Sequence, residues 1–285
     1  MLITLKEIIA IAEEKGIAIG SFNTPNLQSL EAVIGAAEAL ELPVIVQFAQ
    51  CHESLTPLSD IGPIMVEMAK NAKVPVCAHL DHGETLDYLQ KALDMGFTSV
   101  MFDGSVLPYE ENVAQTRLAV AMAAKTGASV EAELGSMGKR ESGSGDADND
   151  DTKIYTDPVL AAKFVKETGI DALACSFGTT HGIYLTKPKL DFDVVKNVRK
   201  ETGGIPVVMH GGSGVTADEF ARAIRAGVRK INYFTYMDKA GGTAAAKWLE
   251  ALPAGKPIFF SAIAAAAKAG MQENVMEAMK MFALQ

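Results

Sequence analysis

Short apolar runs alternate with amphipathic stretches along most of this sequence, and that rhythm limits the folds open to it. The runs are IAIGSF (17–22), PVIVQFA (43–49), VPVCAHL (74–80), TSVMFDG (98–104), SVEAEL (129–134), DALACSF (171–177), IPVVMHG (205–211) and KINYFT (230–235). They are continuous and rich in Val, Ile and Ala, as parallel strands are when helices cover the sheet. Amphipathic segments such as 27–41, 85–95 and 217–226 lie between them, and several close on glycine or before proline, at Gly96, Gly127, Gly169, Gly227 and Pro43. Eight such units predict an α/β fold, a (β/α)8 TIM barrel, with an added N-terminal helix and an extra C-terminal helical segment. The alternative is an open doubly wound sheet, but the dinucleotide-binding glycine fingerprint is missing after the first run, which reads GSFNTPN. The 285 residues suit one barrel domain spanning 1–285, with no linker and no internal repeat beyond the strand–helix period.

The first segment, MLITLKEIIAIAEEKG, is interrupted by Glu7, Glu13 and Glu14 and reads as an amphipathic helix rather than a signal peptide. No apolar run approaches the roughly 20 residues that span a bilayer. The net charge is −9 and no more than two Lys or Arg residues are adjacent, which argues against nucleic acid and anionic membranes as partners. A small anionic substrate remains compatible, because a local site on an acidic protein can still be positive. Cys77 and Cys175 sit inside apolar runs and read as small buried hydrophobes; nothing around Cys51 marks an activated thiolate. The composition is that expected of a cytoplasmic protein. Residues 261–284 form an Ala- and Met-rich helical stretch suited to capping the barrel or to a subunit interface, so a homo-oligomer (dimer or tetramer) is expected.

Polar residues gather where the runs end, the rim on which barrel enzymes place their chemistry. Asn23 closes the first run; Asp81, His82 and Gly83 follow the third; Asp103 ends the fourth; Glu131 and Glu133 lie in the fifth. Thr179, Thr180, His181 and Gly182 follow the sixth, His210, Gly211, Gly212, Ser213 and Gly214 the seventh, and Asn232 and Thr235 belong to the eighth. Three distant histidines, His82, His181 and His210, would thus converge on one rim. Three protein ligands with an open fourth position is the pattern of catalytic zinc. The HGGSG turn at 210–214 precedes a helix opening at Thr216, and such a turn offers backbone N–H groups to a phosphate. Residues 135–158, GSMGKRESGSGDADNDDTKIYTDP, break the rhythm with a polar loop of the kind that is expected to be mobile and functional.

Taken together, HLDHG (79–83), VEAELG (130–135), GTTHG (178–182), HGGSG (210–214) and the KIN…T of 230–235 resemble, in order and spacing, the class II, zinc-dependent fructose-bisphosphate and tagatose-bisphosphate aldolases, from about residue 3 to about residue 240. The resemblance implies cleavage of a ketose 1,6-bisphosphate to dihydroxyacetone phosphate (DHAP) and an aldehyde, with Zn2+ on His82, His181 and His210. It implies that Asp81 exchanges a proton with the C4 hydroxyl and that Glu141, in the polar loop, moves the proton at C3 of the DHAP half. Asp103 and Glu133 match positions that hold a second metal or a resting zinc; a second divalent metal or a monovalent cation is compatible with the set. Gly182, Gly211, Gly212, Ser213, Asn232, Tyr233, Phe234 and Thr235 match DHAP-binding positions, with Asn23 a further substrate contact. A Schiff-base mechanism would need a rim lysine. Lys230 begins the eighth run and so points to the other end of the barrel.

The sequence departs from the family pattern on the aldehyde side. Ala49 stands where Ser or Thr is usual, Phe234 replaces a small residue, and Gly138-Lys139 replaces a glycine pair. The stretch PAGKPIFFSAIAAAAKAG (253–270) lacks the family's basic Asp-Pro-Arg motif. Fructose 1,6-bisphosphate is the first expected substrate, followed by tagatose 1,6-bisphosphate or another ketose phosphate. Two further readings of the same rim are a metal-dependent sugar-phosphate epimerase or isomerase and a non-catalytic sugar-phosphate sensor. The first would turn over without releasing DHAP, and the second would need no proton-transfer group such as Asp81.

Overall fold

The eight runs become eight parallel strands, each hydrogen-bonded to its neighbour in sequence, and the last pairs with the first to close a barrel. The computed structural model describes residues 1–135, 155–180, 182 and 188–285. The strands are β1 (Ile19–Asn23), β2 (Val44–Ala49), β3 (Val76–Gly83), β4 (Ser99–Phe102), β5 (Ser129–Leu134), β6 (Ala172–Cys175), β7 (Val207–Met209) and β8 (Val228–Tyr233). The helices are α1 (Leu5–Lys15), α2 (Leu27–Leu40), α3 (Leu58–Asn71), α4 (Leu86–Asp94), α5 (Tyr109–Ala123), α6 (Pro158–Thr168), α7 (Phe192–Glu201), α8 (Ala217–Ala226), α9 (Thr235–Glu250) and α10 (Phe260–Phe282). A short 3-10 turn, Gln50–Ser54, follows β2. This is the expected TIM barrel. Most strand boundaries differ from the runs by one to three residues, and two of the shifts bear on the site: β3 runs on to Gly83, and β8 starts earlier, at Val228.

Local signals explain the helix ends. Thr4 with Glu7, and Thr216 with Glu219, form reciprocal capping boxes at the starts of α1 and α8. Gly169 ends α6 in the left-handed conformation that a side chain would disfavour.

Two apolar regions follow from strand alternation. One lies between the barrel and its helices. The other fills the N-terminal end of the barrel, where Ile19, Ile45, Cys77 and Val208 meet Leu5, Ile8, Ile9 and Ala12 of α1. Helix α1 is therefore a plug, each buried Leu or Ile contributing roughly 2 kcal/mol, and the pocket opens at the opposite end. At the chain's end, α10 packs on α9 and α2. Its Phe282 ring meets Phe22, Phe220 and Tyr233, and a Cβ on Gly270 would stand 2.5 Å from Ala244, so glycine permits the tight helix crossing. Among the described residues, no helix is long and apolar enough to cross a membrane.

Above the plug the barrel interior turns polar. His79, Glu131 and Lys230 are fully buried, and Lys230 Nζ lies 2.8 Å from Glu131 Oε2 across the barrel. Contacts between β8, β5 and β3 at that range exist only inside. Lys230 does not sit at the far end of the barrel, as its place in the sequence run suggested; it is the third residue of β8 and points inward.

Candidate active site

The site begins with an irregularity in β3. Successive strand residues normally point to opposite faces. Pairing with β4 shifts register between Leu80 and Gly83, and His82 has a φ of 45°. The bulge and the left-handed residue turn Asp81 and His82 into the same pocket. Such a conformation costs a non-glycine residue of order 1–3 kcal/mol and persists where the surroundings enforce it. Gly83 is part of that enforcement: a Cβ there would come within 2.4 Å of Leu89 and 2.8 Å of the Met101 carbonyl.

Asp81 is buried and held by side-chain amides from three strands. Asn23 Nδ2 and Gln47 Nε2 donate to Oδ2 at 3.2 and 3.1 Å, and Asn232 Nδ2 donates to Oδ1 at 3.0 Å. Gln47 also donates to Asn23 Oδ1 at 2.8 Å, which fixes both. Burial opposes ionisation of Asp81, but His82, the Lys230 ammonium and the His210 ring, with the Asn23 hydrogen bond, hold its carboxyl at about 2. Asp103 is also driven well below the usual carboxylate range. Burial resists this, and hydrogen bonds from His82 (2.8 Å) and from the Ser105 amide and hydroxyl (3.1 and 2.6 Å) overcome it.

His82 and His210 meet edge to face, with ring centroids 4.7 Å apart. Glu131 Oε1 lies 2.9 Å from His210 Nε2, and Glu133 Oε2 lies 3.6 Å from His210 Nδ1. Burial and the charge of Asp103 push the Glu133 carboxyl up to about 8, and burial with the neighbouring Lys230 lowers His79 well below the ordinary imidazole value. His82 is raised to about 10: burial works against its charged form, but Asp81, Asp103 and Glu133 favour it.

These features fit a divalent cation. Donor atoms of Asp81, His82 and His210 lie within 4.8 Å of one another, as do those of His82, Asp103 and Glu133. Glu133 Oε2 is buried and accepts no hydrogen bond among the described residues. Carboxylates that favour a proton on His82 would favour a metal there equally, and imidazole with carboxylate is the donor chemistry of zinc sites.

A pocket at this rim collects Asn23, Asp81, His82, Gly182, Gly211, Gly212, Ser213, Asn232, Tyr233, Phe234 and Thr235, all anticipated, together with Ala49 and His52. The HGGSG backbone is wedged between strands. Gly211 has a φ of 66°, and a Cβ on it would sit 2.2 Å from the Thr180 carbonyl oxygen; Gly212 N–H donates to the Asn232 carbonyl at 3.0 Å. Opposite, α9 starts at Thr235 with no cap from the Phe234 side chain; the Tyr236 N–H donates to Ser213 Oγ at 3.4 Å, and a helix start of this kind favours an anion. Tyr233 differs from its neighbours. Its ring turns outward against Phe22 and Phe282, at 5.8 and 6.0 Å, so it borders the pocket with backbone alone.

Four residues escaped the sequence reading as site components: Gln47, His79, Lys230 and His52. The first three were legible in principle, since each lies two residues, along its strand, before a rim residue and so shares its inward face. His52 had no such signal. It lies on the 3-10 turn after β2, and its ring lies 4.8 Å from that of Phe234. His181 and Glu141 lie outside the described residues.

The family model for fructose-bisphosphate aldolase class-II matches residues 3–285. Over 239 residues the chain is 38% identical to the fructose-bisphosphate aldolase of Staphylococcus aureus, covering 82% of this chain and 81% of that one. It is 39% identical over 241 residues to a 6-phospho-5-dehydro-2-deoxy-D-gluconate aldolase of Halalkalibacterium halodurans, covering 82% and 80%. The crystal structure of the YdjI aldolase from Escherichia coli K12 superposes with a TM-score of 0.86 at 35% identity, covering 99% of this chain and 97% of that one. The chain belongs to the class II fructose-bisphosphate aldolase family and is, by that membership, an aldolase, a carbon–carbon lyase.

Proposed function

We propose that this aldolase reversibly cleaves a ketose 1,6-bisphosphate, fructose 1,6-bisphosphate first, to DHAP and glyceraldehyde 3-phosphate, with zinc on His82, His181 and His210. The observation that carries the reading is Asp81, an ionised carboxylate gripped by Asn23, Gln47 and Asn232 beside the His82–His210 pair. When bound, zinc supplies a Lewis acid for the charge that grows on the DHAP oxygens as C3–C4 breaks.

The chain's own residues do the rest. Asp81 takes the proton of the C4 hydroxyl during cleavage and returns it in condensation. Glu141 moves the proton at C3. The Gly182, Gly211 and Ser213 backbones, with Thr235 at the start of α9, hold the phosphate of the DHAP half, and Gly212, whose N–H is bonded to the Asn232 carbonyl, fixes the turn that presents them; Asn23 and Asn232 orient its polar groups. Asp103 keeps His82 in place, and Asp103 and Glu133 are the donors for a second or resting cation.

A second reading concerns the aldehyde half alone. Ala49, His52 and Phe234 form a wall on that side, and the related chains carry names for different substrates. It is cleavage of tagatose 1,6-bisphosphate or another ketose phosphate, with DHAP still one product. Release of DHAP measured with glycerol-3-phosphate dehydrogenase tests both readings, because only the identity of the ketose separates them. A self-associating enzyme is part of the proposal: Ile258, Phe259 and Phe260 are each more than 60% exposed where α10 begins.

A further inference from the structure

The barrel interior holds a line of fully buried polar groups that ends on the candidate metal ligand His210. The Lys230 ammonium donates to Glu131 Oε2 at 2.8 Å and to His79 Nε2 at 3.4 Å. His79 then has its proton on Nδ1, which donates to Ser99 Oγ at 2.7 Å. The other Glu131 oxygen faces His210 Nε2 at 2.9 Å. A carboxylate whose second oxygen is taken by an ammonium only accepts, so Nε2 of His210 must carry a proton. A neutral ring has one N–H, so Nδ1 is the nitrogen with the lone pair, and Nδ1 is the atom on the Glu133 side, 3.6 Å from Oε2.

We propose that Lys230 and Glu131 are positioning residues that fix His210 as its Nε2–H tautomer and so present Nδ1 to the metal. Resting on the reading of His210 as a ligand, this assigns work to two residues that never touch substrate. Ion pairs this deep are seldom retained for stability, since apolar residues of similar size often do as well; a ligand's second nitrogen, in contrast, regularly needs such a partner.

The geometry makes a directional prediction. In Glu131→Gln, Lys230 demands an acceptor, so the amide oxygen must turn toward Lys230 and the NH2 toward His210. Nε2 then has to accept, the proton moves to Nδ1, and the ligand position is blocked. In the double variant Glu131→Gln/Lys230→Met no ammonium holds the amide; it turns over, accepts from Nε2–H, and the original tautomer returns.

Long-range 1H–15N correlation on metal-free, 15N-histidine-labelled protein reads the tautomer directly, with His210 assigned by its loss in His210→Gln. The expected result is Nε2–H in the wild type, Nδ1–H in the single variant and Nε2–H in the double. Zinc affinity, measured by competition with a chromogenic chelator, should fall about ten- to hundred-fold in the single variant and largely recover in the double. An Nδ1–H tautomer in the wild type overturns the proposal without recourse to any variant, as does a double variant that binds zinc no better than the single. Equal zinc affinity of wild type and His210→Gln would instead overturn the reading of His210 as a ligand.

Discussion

Replacing Asp81 with Asn separates the chemistry of the site from its architecture. Both Asn23 and Gln47 donate to Oδ2, and only Asn232 donates to Oδ1. The new amide therefore keeps its oxygen at the Oδ2 position and turns its NH2 toward Asn232. Asn232 Oδ1 has no hydrogen-bond partner among the described residues, so a flip of the Asn232 amide presents that oxygen and restores the third bond. What is lost is charge. A carboxyl held at about 2 instead of its usual 3.8 is stabilised in its ionised form by ~2 kcal/mol at neutral pH, and the variant should lose about that much stability. Loss of the proton-transfer group should lower kcat about 10²- to 10⁴-fold, while zinc content and KM stay near wild type. Denaturant unfolding and DHAP release coupled to NADH oxidation measure the two effects. A folded, zinc-loaded D81N enzyme with kcat within a few-fold of wild type would refute the role of Asp81.

Other consequences are open to direct test. Chelation should abolish activity, and borohydride with substrate should not trap the protein, because Lys230 is buried against Glu131; mass added to a lysine would sink the metal mechanism. Phe234→Ala and His52→Ala should change kcat/KM for the aldehyde in condensation about tenfold, within the range of pocket-shape effects, and leave the KM for DHAP unchanged; an altered DHAP KM would move these residues to the other half of the site. The metal-free protein should have a distinctive pH response. Glu133 is raised from 4.5 to about 8 and His82 from 6.5 to about 10, so each favours the fold fully below its unfolded value and loses that contribution as pH rises through its folded one. His79, lowered below 6.5, works the other way beneath that pH, so Tm in chelator should fall between about pH 6.5 and pH 10, and zinc should raise it most at the alkaline end. A Tm that climbs over that interval without metal would contradict the electrostatic description.

Much of this protein was legible in its sequence, for reasons visible at particular residues. The eight apolar runs announce buried strands because helices cover the outer face of the barrel and α1 plugs its N-terminal end, and the rim residues follow once the strands are counted. Asn23, Asp81, His82, Gly211 and Asn232 all reach the pocket that the count predicted. The interior position of Lys230 is hidden because the eighth apolar run starts at Lys230, which places it at the barrel's end, whereas β8 begins at Val228; Lys230 is its third residue and shares the inward face of Asn232. The same parity turns the Tyr233 ring out. That Asp81 and His82 share a pocket despite being adjacent depends on a register shift and a left-handed residue, which no periodicity reveals. His52 comes from an irregular turn with no repeating pattern to betray it.

The proposed reaction splits a ketose phosphate between C3 and C4 at this rim, with DHAP as one product. A coupled DHAP-release screen of the zinc-loaded enzyme, over ketose mono- and bisphosphates including both C4 epimers, measures it most directly. Zinc-dependent DHAP release from at least one ketose 1,6-bisphosphate is the expected result, with fructose 1,6-bisphosphate leading. Turnover of a ketose phosphate to an epimer or isomer with no DHAP formed would contradict it.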